Sequence, residues 1–270
     1  MNTITFLTSY WHLNVAAIII IVLMLLFHLI TNRFVLTKKS ALFFSGVLLF
    51  LISTMSPIEY LARFYLYSAQ MVRHIMLLLI IPPLLLAGTD KSFLEKMLDM
   101  KFFRKPAGFL FYPVVAWLFG VGSMWAMHST MYMTREMRSP AMMNIEMILL
   151  PLLGLIFIWP VFTPTRRYKL DPLASSLYLF LACVGCTLLG ILITFVPSDT
   201  FRNIIQPDNP VVLQMIRNSW GISWRTDQMM GGLIMWVPAC IIYLTYIMIV
   251  LMRWLTSRQR PVHPQIENRE

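Results

Sequence analysis

Two histidines, His74 and His128, and two carboxylates, Glu146 and Asp227, stand at the ends of otherwise apolar stretches of this sequence. An ionisable side chain in such a setting is costly to desolvate and usually has a partner or a function. Gln70 and His74 are four residues apart and Met71 and His74 three apart, so on a helix all three project from one face. Methionine supplies a second signal: the chain holds 21, and eight fall between Met124 and Met147, with Met143 and Met147 flanking Glu146. A thioether is a soft ligand suited to Cu(I), and imidazole serves several metals. Each residue also has a purely structural reading. His74 can bond a backbone carbonyl, His128 can sit on a helix C-terminal dipole, and Glu146 can pair with Arg73, Arg135 or Arg138. Asp227, with Gln228 after it, can be the N-cap of the run that follows, and methionine is common apolar filler.

The elements that must position these groups are membrane spans. Hydrophobic residues make up 58% of the 270 and charged residues 13%, against about a quarter charged in soluble domains, so the chain is an integral membrane protein. The net charge of +10 would suggest nucleic acid in a soluble protein. Here the basic residues fall in short loops and act as orientation signals, so no nucleic-acid partner is expected. Seven spans are expected: His12–Thr31, Ser40–Met55, Gln70–Gly88, Gly108–His128, Met142–Phe162, Leu173–Val196 and Gln228–Met252. Residues 57–68 read as an aromatic interfacial loop, 90–104 as an amphipathic surface helix, and 256–270 as a polar tail. The Pro197–Asp227 connection is the longest, and no repeat divides the chain, which reads as one domain over 1–270. Nothing basic precedes the first span, which argues against a removed signal peptide.

Of the 22 Lys and Arg residues, 15 lie in the first, third and fifth loops and the tail. The positive-inside rule then places the N-terminus outside and the C-terminus in the cytoplasm. The expected fold is therefore an all-α bundle of seven transmembrane helices in a bacterial inner membrane. In that topology His74, His128, Glu146, Asp227 and Gln228 converge at the outer ends of four spans. Pro82 and Pro83 lie deeper in the third span, where their missing N–H groups free backbone carbonyls and shape the helix.

Other motifs are weaker. Cys183, Cys186 and Cys240 all fall in apolar spans, where packing outweighs a disulfide framework. His12, His28 and His263 stand alone. No phosphate loop, nucleophile triad or dinucleotide fingerprint occurs, and the seventh span lacks a lysine for a retinal Schiff base.

Three segments together resemble the CtaG-type cytochrome c oxidase assembly factors of bacteria, which caa-type haem-copper oxidases need. They are Tyr67-Ser-Ala-Gln-Met-Val-Arg-His74 with Pro82-Pro83 and Gly88, then Trp125-Ala-Met-His128 with Glu146 and Trp159-Pro160, then Asp227-Gln-Met-Met-Gly-Gly-Leu-Ile-Met-Trp-Val-Pro238. The resemblance spans about residues 40 to 255. The sequence departs from the family pattern where a His often stands at the place of Gln70 and a Gln at that of Arg73. The usual His-x-x-Glu-His is here Met143, Glu146 and Met147.

The resemblance implies an assembly factor, without catalytic turnover, whose partners are oxidase subunits and a soluble copper donor. The residues add the expectation of an outward Cu(I) site. His74, His128, Met71, Met143 and Met147 would be ligands, and Gln70, Glu146, Asp227 and Gln228 would orient them or handle protons. Thioethers do not titrate, so exchanging His for Met suits an acidic exterior. Three rivals remain: a metal-free assembly scaffold, a copper transporter, and a haem protein with His74 and His128 as axial ligands.

Overall fold

A computed structural model of the chain describes residues 3–32, 38–128, 139–197, 205 and 207–258. Within them every regular element is helical. Four helical stretches are long and apolar enough to cross a membrane: Tyr67–Gly88, Ala141–Phe162, Pro172–Phe195 and Trp224–Ser257. Two bent pairs bring the number to six. The remaining expected span is α2 (Val15–Thr31), apolar but only 17 residues long. Leu181, Leu188, Leu192, Ile241, Leu244 and Met248 are exposed along the last two long helices, the pattern of surfaces that face acyl chains rather than water.

The first bent pair joins α3 (Lys38–Met55) to α4 (Pro57–Phe64) at 44°. Ser56 starts α4 with its hydroxyl accepting from the Ile58 N–H, and Pro57 occupies the first turn, where a missing N–H costs nothing. Residues 57–64 are thus helix, not the expected loop. The aromatic residues Tyr60, Phe64 and Tyr65 pack in a small core with Phe6 of α1 (Thr3–Ser9), Val212 of α13 (Pro210–Gln214), Leu66, Met215 and Ile216. The expected surface helix at 90–104 is divided at Met100 into α7 (Lys91–Asp99) and α8 (Lys101–Leu110). Its second half forms the other bent pair, meeting Pro113–Met127 at 73°. Pro113 fixes the restart of that helix.

The innermost of the four long stretches is Tyr67–Gly88. It comprises α5 (Tyr67–Ile75), a five-residue π-helical turn (Met76–Ile80) and α6 (Ile81–Gly88). Pro82 and Pro83 cannot donate to the carbonyls of Leu78 and Leu79 four residues earlier. The Leu79 carbonyl instead accepts from the Tyr246 hydroxyl at 2.7 Å. At the Leu78 carbonyl, α11 (Pro140–Phe162) comes so near that a Cβ on Gly154 would lie 2.1 Å from this oxygen and 2.6 Å from Pro82 Cγ. Two neighbours thus close on the carbonyls that the prolines leave without a donor.

Gly154→Ala is expected to destabilise the bundle by about 1–3 kcal/mol, because backbone rather than a flexible side chain must move. Unfolding in detergent checks this, with Gly122→Ala as control, since nothing lies within 4 Å of a Cβ there.

Beyond this axis, α12 (Pro172–Phe195) packs along α14 (Trp224–Arg258) more extensively than any other pair. Gly190 and Gly232 make that approach possible, because a Cβ on either would fall 2.8 Å from the other's carbonyl.

Candidate functional site

α5 carries Gln70, Met71, Arg73 and His74, and its first residue has no side-chain cap of its own. The cap comes from α14. Asp227 Oδ2 accepts from the Tyr67 N–H at 2.8 Å, and Oδ1 accepts from the Ser68 N–H at 3.0 Å and the Ser68 hydroxyl at 2.6 Å. A buried carboxylate thus meets the positive end of a helix dipole and satisfies two of its orphan donors. Asp227 is an N-cap, as one reading allowed, but of a helix 160 positions earlier in the chain.

The neighbouring residues of α14 fasten the same joint. Gln228 Nε2 donates to the carbonyls of Ile193 and Val196, at 3.0 and 2.6 Å, closing the C-terminal end of α12. A Cβ on Gly231 would lie 2.5 Å from the Tyr67 ring. The Asp-Gln…Gly-Gly segment is therefore a clamp that holds α5 and α12 to α14. Gln228 orients α12, and its hydrogen bonds among the described residues run there rather than to the histidines.

His128 follows α10 (Ser123–Met127), and that helix is continuous with a second π-helical segment, Leu118–Gly122, which extends α9 (Pro113–Trp117). The Trp125 indole donates to the Gly185 carbonyl of α12 at 3.2 Å and fixes the helix end. Both histidines therefore sit near π segments, a local widening often found at functional sites. The sequence carries the neighbouring Pro82, Pro83 and Pro113 but no signal for the widening itself.

The two imidazoles meet edge to face, with ring centroids 5.3 Å apart, and both are buried. His128 Nδ1 lies 2.7 Å from the Met124 carbonyl. A carbonyl can only accept, which assigns the hydrogen to Nδ1 and leaves Nε2 with its lone pair in the neutral ring. That Nε2 faces the Met71 sulfur at 3.2 Å. Among the described residues His74 Nε2 is buried without a hydrogen-bond partner, and Glu146 Oε2 faces it at 3.6 Å.

Glu146, on α11, also accepts from Arg73 Nη1 at 3.3 Å, while Arg73 Nη2 donates to the Met143 carbonyl at 3.2 Å. Arg73 is 1% exposed. Of the three pairings open to Glu146, Arg73 is the partner found, and Arg135 and Arg138 lie outside the described residues. Arg73, weighed in the sequence only as a partner for Glu146, is thus a member of the cluster in its own right, as a buried cation in an apolar span suggests.

Met143 and Met147 are buried on the helix of Glu146, and Met147 shares the main core with Met71. Met143 serves the cluster through its carbonyl, and Met71 is the methionine whose sulfur touches an imidazole. Gln70 is half-buried on α5. Of the other methionines between 124 and 147, residues 131, 133 and 137 lie outside the described set.

His12 and His28 take structural posts. His12 faces the buried Glu59 at 3.2 Å, and His28 stacks on Phe43. Cys183 and Cys240 bring their sulfurs to 2.8 Å between α12 and α14.

Among the described residues, no three His, Cys, Asp or Glu side chains are grouped so as to hold a metal ion. The thioether of Met71 is the soft donor that stands against this pair of imidazoles. The set of two imidazoles and a sulfur fits a soft monovalent ion and is a poor one for Mg²⁺ or Ca²⁺.

No curated protein and no solved structure matches this chain. Residues 22–257, most of its length, match the family described as the cytochrome c oxidase caa3 assembly factor (Caa3_CtaG), and the protein belongs to that family.

Proposed function

We propose that this assembly factor holds Cu(I) at the cluster of His74, His128 and Met71 and passes it to a haem-copper oxidase. The observation that carries the reading is the pair His128 Nε2 and Met71 Sδ, 3.2 Å apart with the opposite ring nitrogen engaged by the Met124 carbonyl. Two lone pairs facing each other attract only through a proton or a metal between them. His74 Nε2, which faces Glu146 Oε2 at 3.6 Å and makes no hydrogen bond among the described residues, would supply a third donor close by. Bound here, Cu(I) would be cargo, and the chain's own groups would shape its environment.

Glu146 offsets the Arg73 cation beside the cluster, so a further positive charge is not opposed by an unbalanced guanidinium. Asp227 positions α5 and with it Met71 and His74. Met143 and Met147 are reserve thioethers, and Gln70 borders the cluster on the same helix. Pro82 and Pro83 shape the span below it.

In this reading the two bent pairs and α2 each count as one crossing, giving seven. The basic loops keep the C-terminus in the cytoplasm and turn the cluster outward, across a bacterial inner membrane. The protein performs no catalysis, and its partners are oxidase subunits and a soluble copper donor. The two imidazoles stand closer than axial ligands on opposite faces of one porphyrin can, which sets the haem reading aside.

Copper content after purification under reducing conditions tests the proposal. Wild type is expected to retain about one copper per chain, His74→Ala/His128→Ala none, and Met71→Leu a reduced amount. Retention is also expected to fall less steeply with acid than for an all-imidazole site, since protons compete only at the rings. Absence of copper from wild type would overturn the metal role and leave a metal-free scaffold.

A further inference from the structure

At the end of the bundle remote from His74, two cavities adjoin. The first, about 370 Å³, is lined by Arg166, Lys169 and Arg253 together with Asp171, Ser175 and Trp254. The second, about 420 Å³, is a groove whose walls include Ile80, Pro83, Ala87, Ile241 and Ile249. Phe162 and Arg253 line both. A charged chamber thus opens into an apolar groove running from Arg253 back to Ile241, twelve residues of α14 or about 18 Å of helix.

The chamber is short of negative charge. Among the described residues, Arg167 pairs with Asp99 at 3.3 Å and Lys91 with Glu95 at 3.5 Å. No described carboxylate lies within 4 Å of Arg166, Lys169 or Arg253, and Asp171 is the one acidic residue in the described lining. Burial, then the nearby Arg253 and Lys91 cations, push the Lys169 ammonium below its usual range. Like charges held together without counter-charges favour an anion. The groove beside them has a hydrocarbon wall. Free phosphate would fill the first cavity and leave the second unexplained; a lipid matches both.

We infer that this pair of cavities binds an anionic phospholipid, with its phosphate among Arg166, Lys169 and Arg253 and an acyl chain in the groove. Basic pockets between spans are known receptors for such headgroups. The acyl chain would lie against Ile80 and Pro83, beside the Tyr246 hydroxyl that satisfies the Leu79 carbonyl. The lipid would therefore cover the proline break in the span that carries His74. This inference does not depend on copper.

The test is native mass spectrometry of the full chain, exchanged through detergent containing equal phosphatidylglycerol and phosphatidylcholine. Wild type is expected to retain phosphatidylglycerol at roughly tenfold excess over phosphatidylcholine. Arg166→Gln/Lys169→Gln/Arg253→Gln should abolish the excess. Ala87→Phe, which fills the groove without changing charge, should also lower it. Added inorganic phosphate at millimolar level is expected to leave bound lipid unchanged. Unfolding temperatures in phosphatidylcholine alone verify that each variant is folded, and Ala87→Leu replaces any that is not. The inference is overturned by equal retention of both lipids. It is equally overturned if Ala87→Phe retains lipid like wild type or if inorganic phosphate displaces it, since either result points to a headgroup site alone.

Discussion

Replacing Glu146 with leucine is expected to destabilise the protein by about 3–5 kcal/mol, because it strips the counter-charge from a buried guanidinium. Arg73 is 1% exposed. Its Nη1 donates to Glu146, its Nη2 donates to the Met143 carbonyl, and its Nε has no partner among the described residues. With the carboxylate gone, one neutral carbonyl remains to offset a full positive charge. The double variant Arg73→Met/Glu146→Leu is expected to recover most of that loss, since swapping a buried ion pair for apolar groups is often close to neutral. Unfolding of the two single variants and the double in detergent closes the cycle. A Glu146→Leu protein as stable as wild type would show that the pair does not hold α5 to α11. Glu146→Gln separates stability from binding: it keeps the shape, removes the charge, and should weaken copper retention more than it weakens the fold.

Asp227→Ala should be nearly as damaging and should act at a distance. It removes the acceptor for two backbone N–H groups and one hydroxyl, all buried. The three bonds share one carboxylate and their contributions do not simply add, so a total loss of about 3–5 kcal/mol is expected. Asp227→Asn keeps one acceptor oxygen and should fall between. The distinguishing readout is hydrogen exchange. Amides from Tyr67 to Gln70 should lose protection in Asp227→Ala, while those within α11 away from the Arg73 contact should change little. Unaltered exchange at Tyr67 and Ser68 would contradict the capping role. Copper retention should drop as well, because Met71 and His74 ride on the helix whose start is released.

The chemistry was more legible in the sequence than its wiring. His74, His128 and Glu146 could be picked out because polar groups in apolar runs are few and their ends of the spans coincide. Met71 followed from three-residue spacing on a helix, and Pro82 and Pro83 from the loss of donors. The partners were not legible. Nothing local in Asp227 distinguishes a cap for its own helix from a cap for α5, since the choice depends on how two distant elements pack. Gln228 looked like a site residue for the same reason and turns out to bind the end of α12. The helical stretch at 57–64 was hidden by its aromatic residues, and the division at Met100 by an apolar spacing that runs through it. Arg73 was one of three partners open to Glu146, and nothing local could choose among them because the pair lies 73 positions apart. Local patterns report what a segment can do, whereas clamps and ion pairs belong to the assembled bundle.

The cap on α5 also bears on how the chain matures as it leaves the ribosome. Synthesis delivers Met71 and His74 early, His128 and Glu146 in the middle, and Asp227 in the final helix. Until that last helix is inserted, α5 has neither its cap nor the slot that Gly231 provides for Tyr67. A protein truncated before residue 224 is therefore expected to insert α5 without its cap. The order of synthesis thus makes the alignment of an early helix wait on a carboxylate made some 160 residues later.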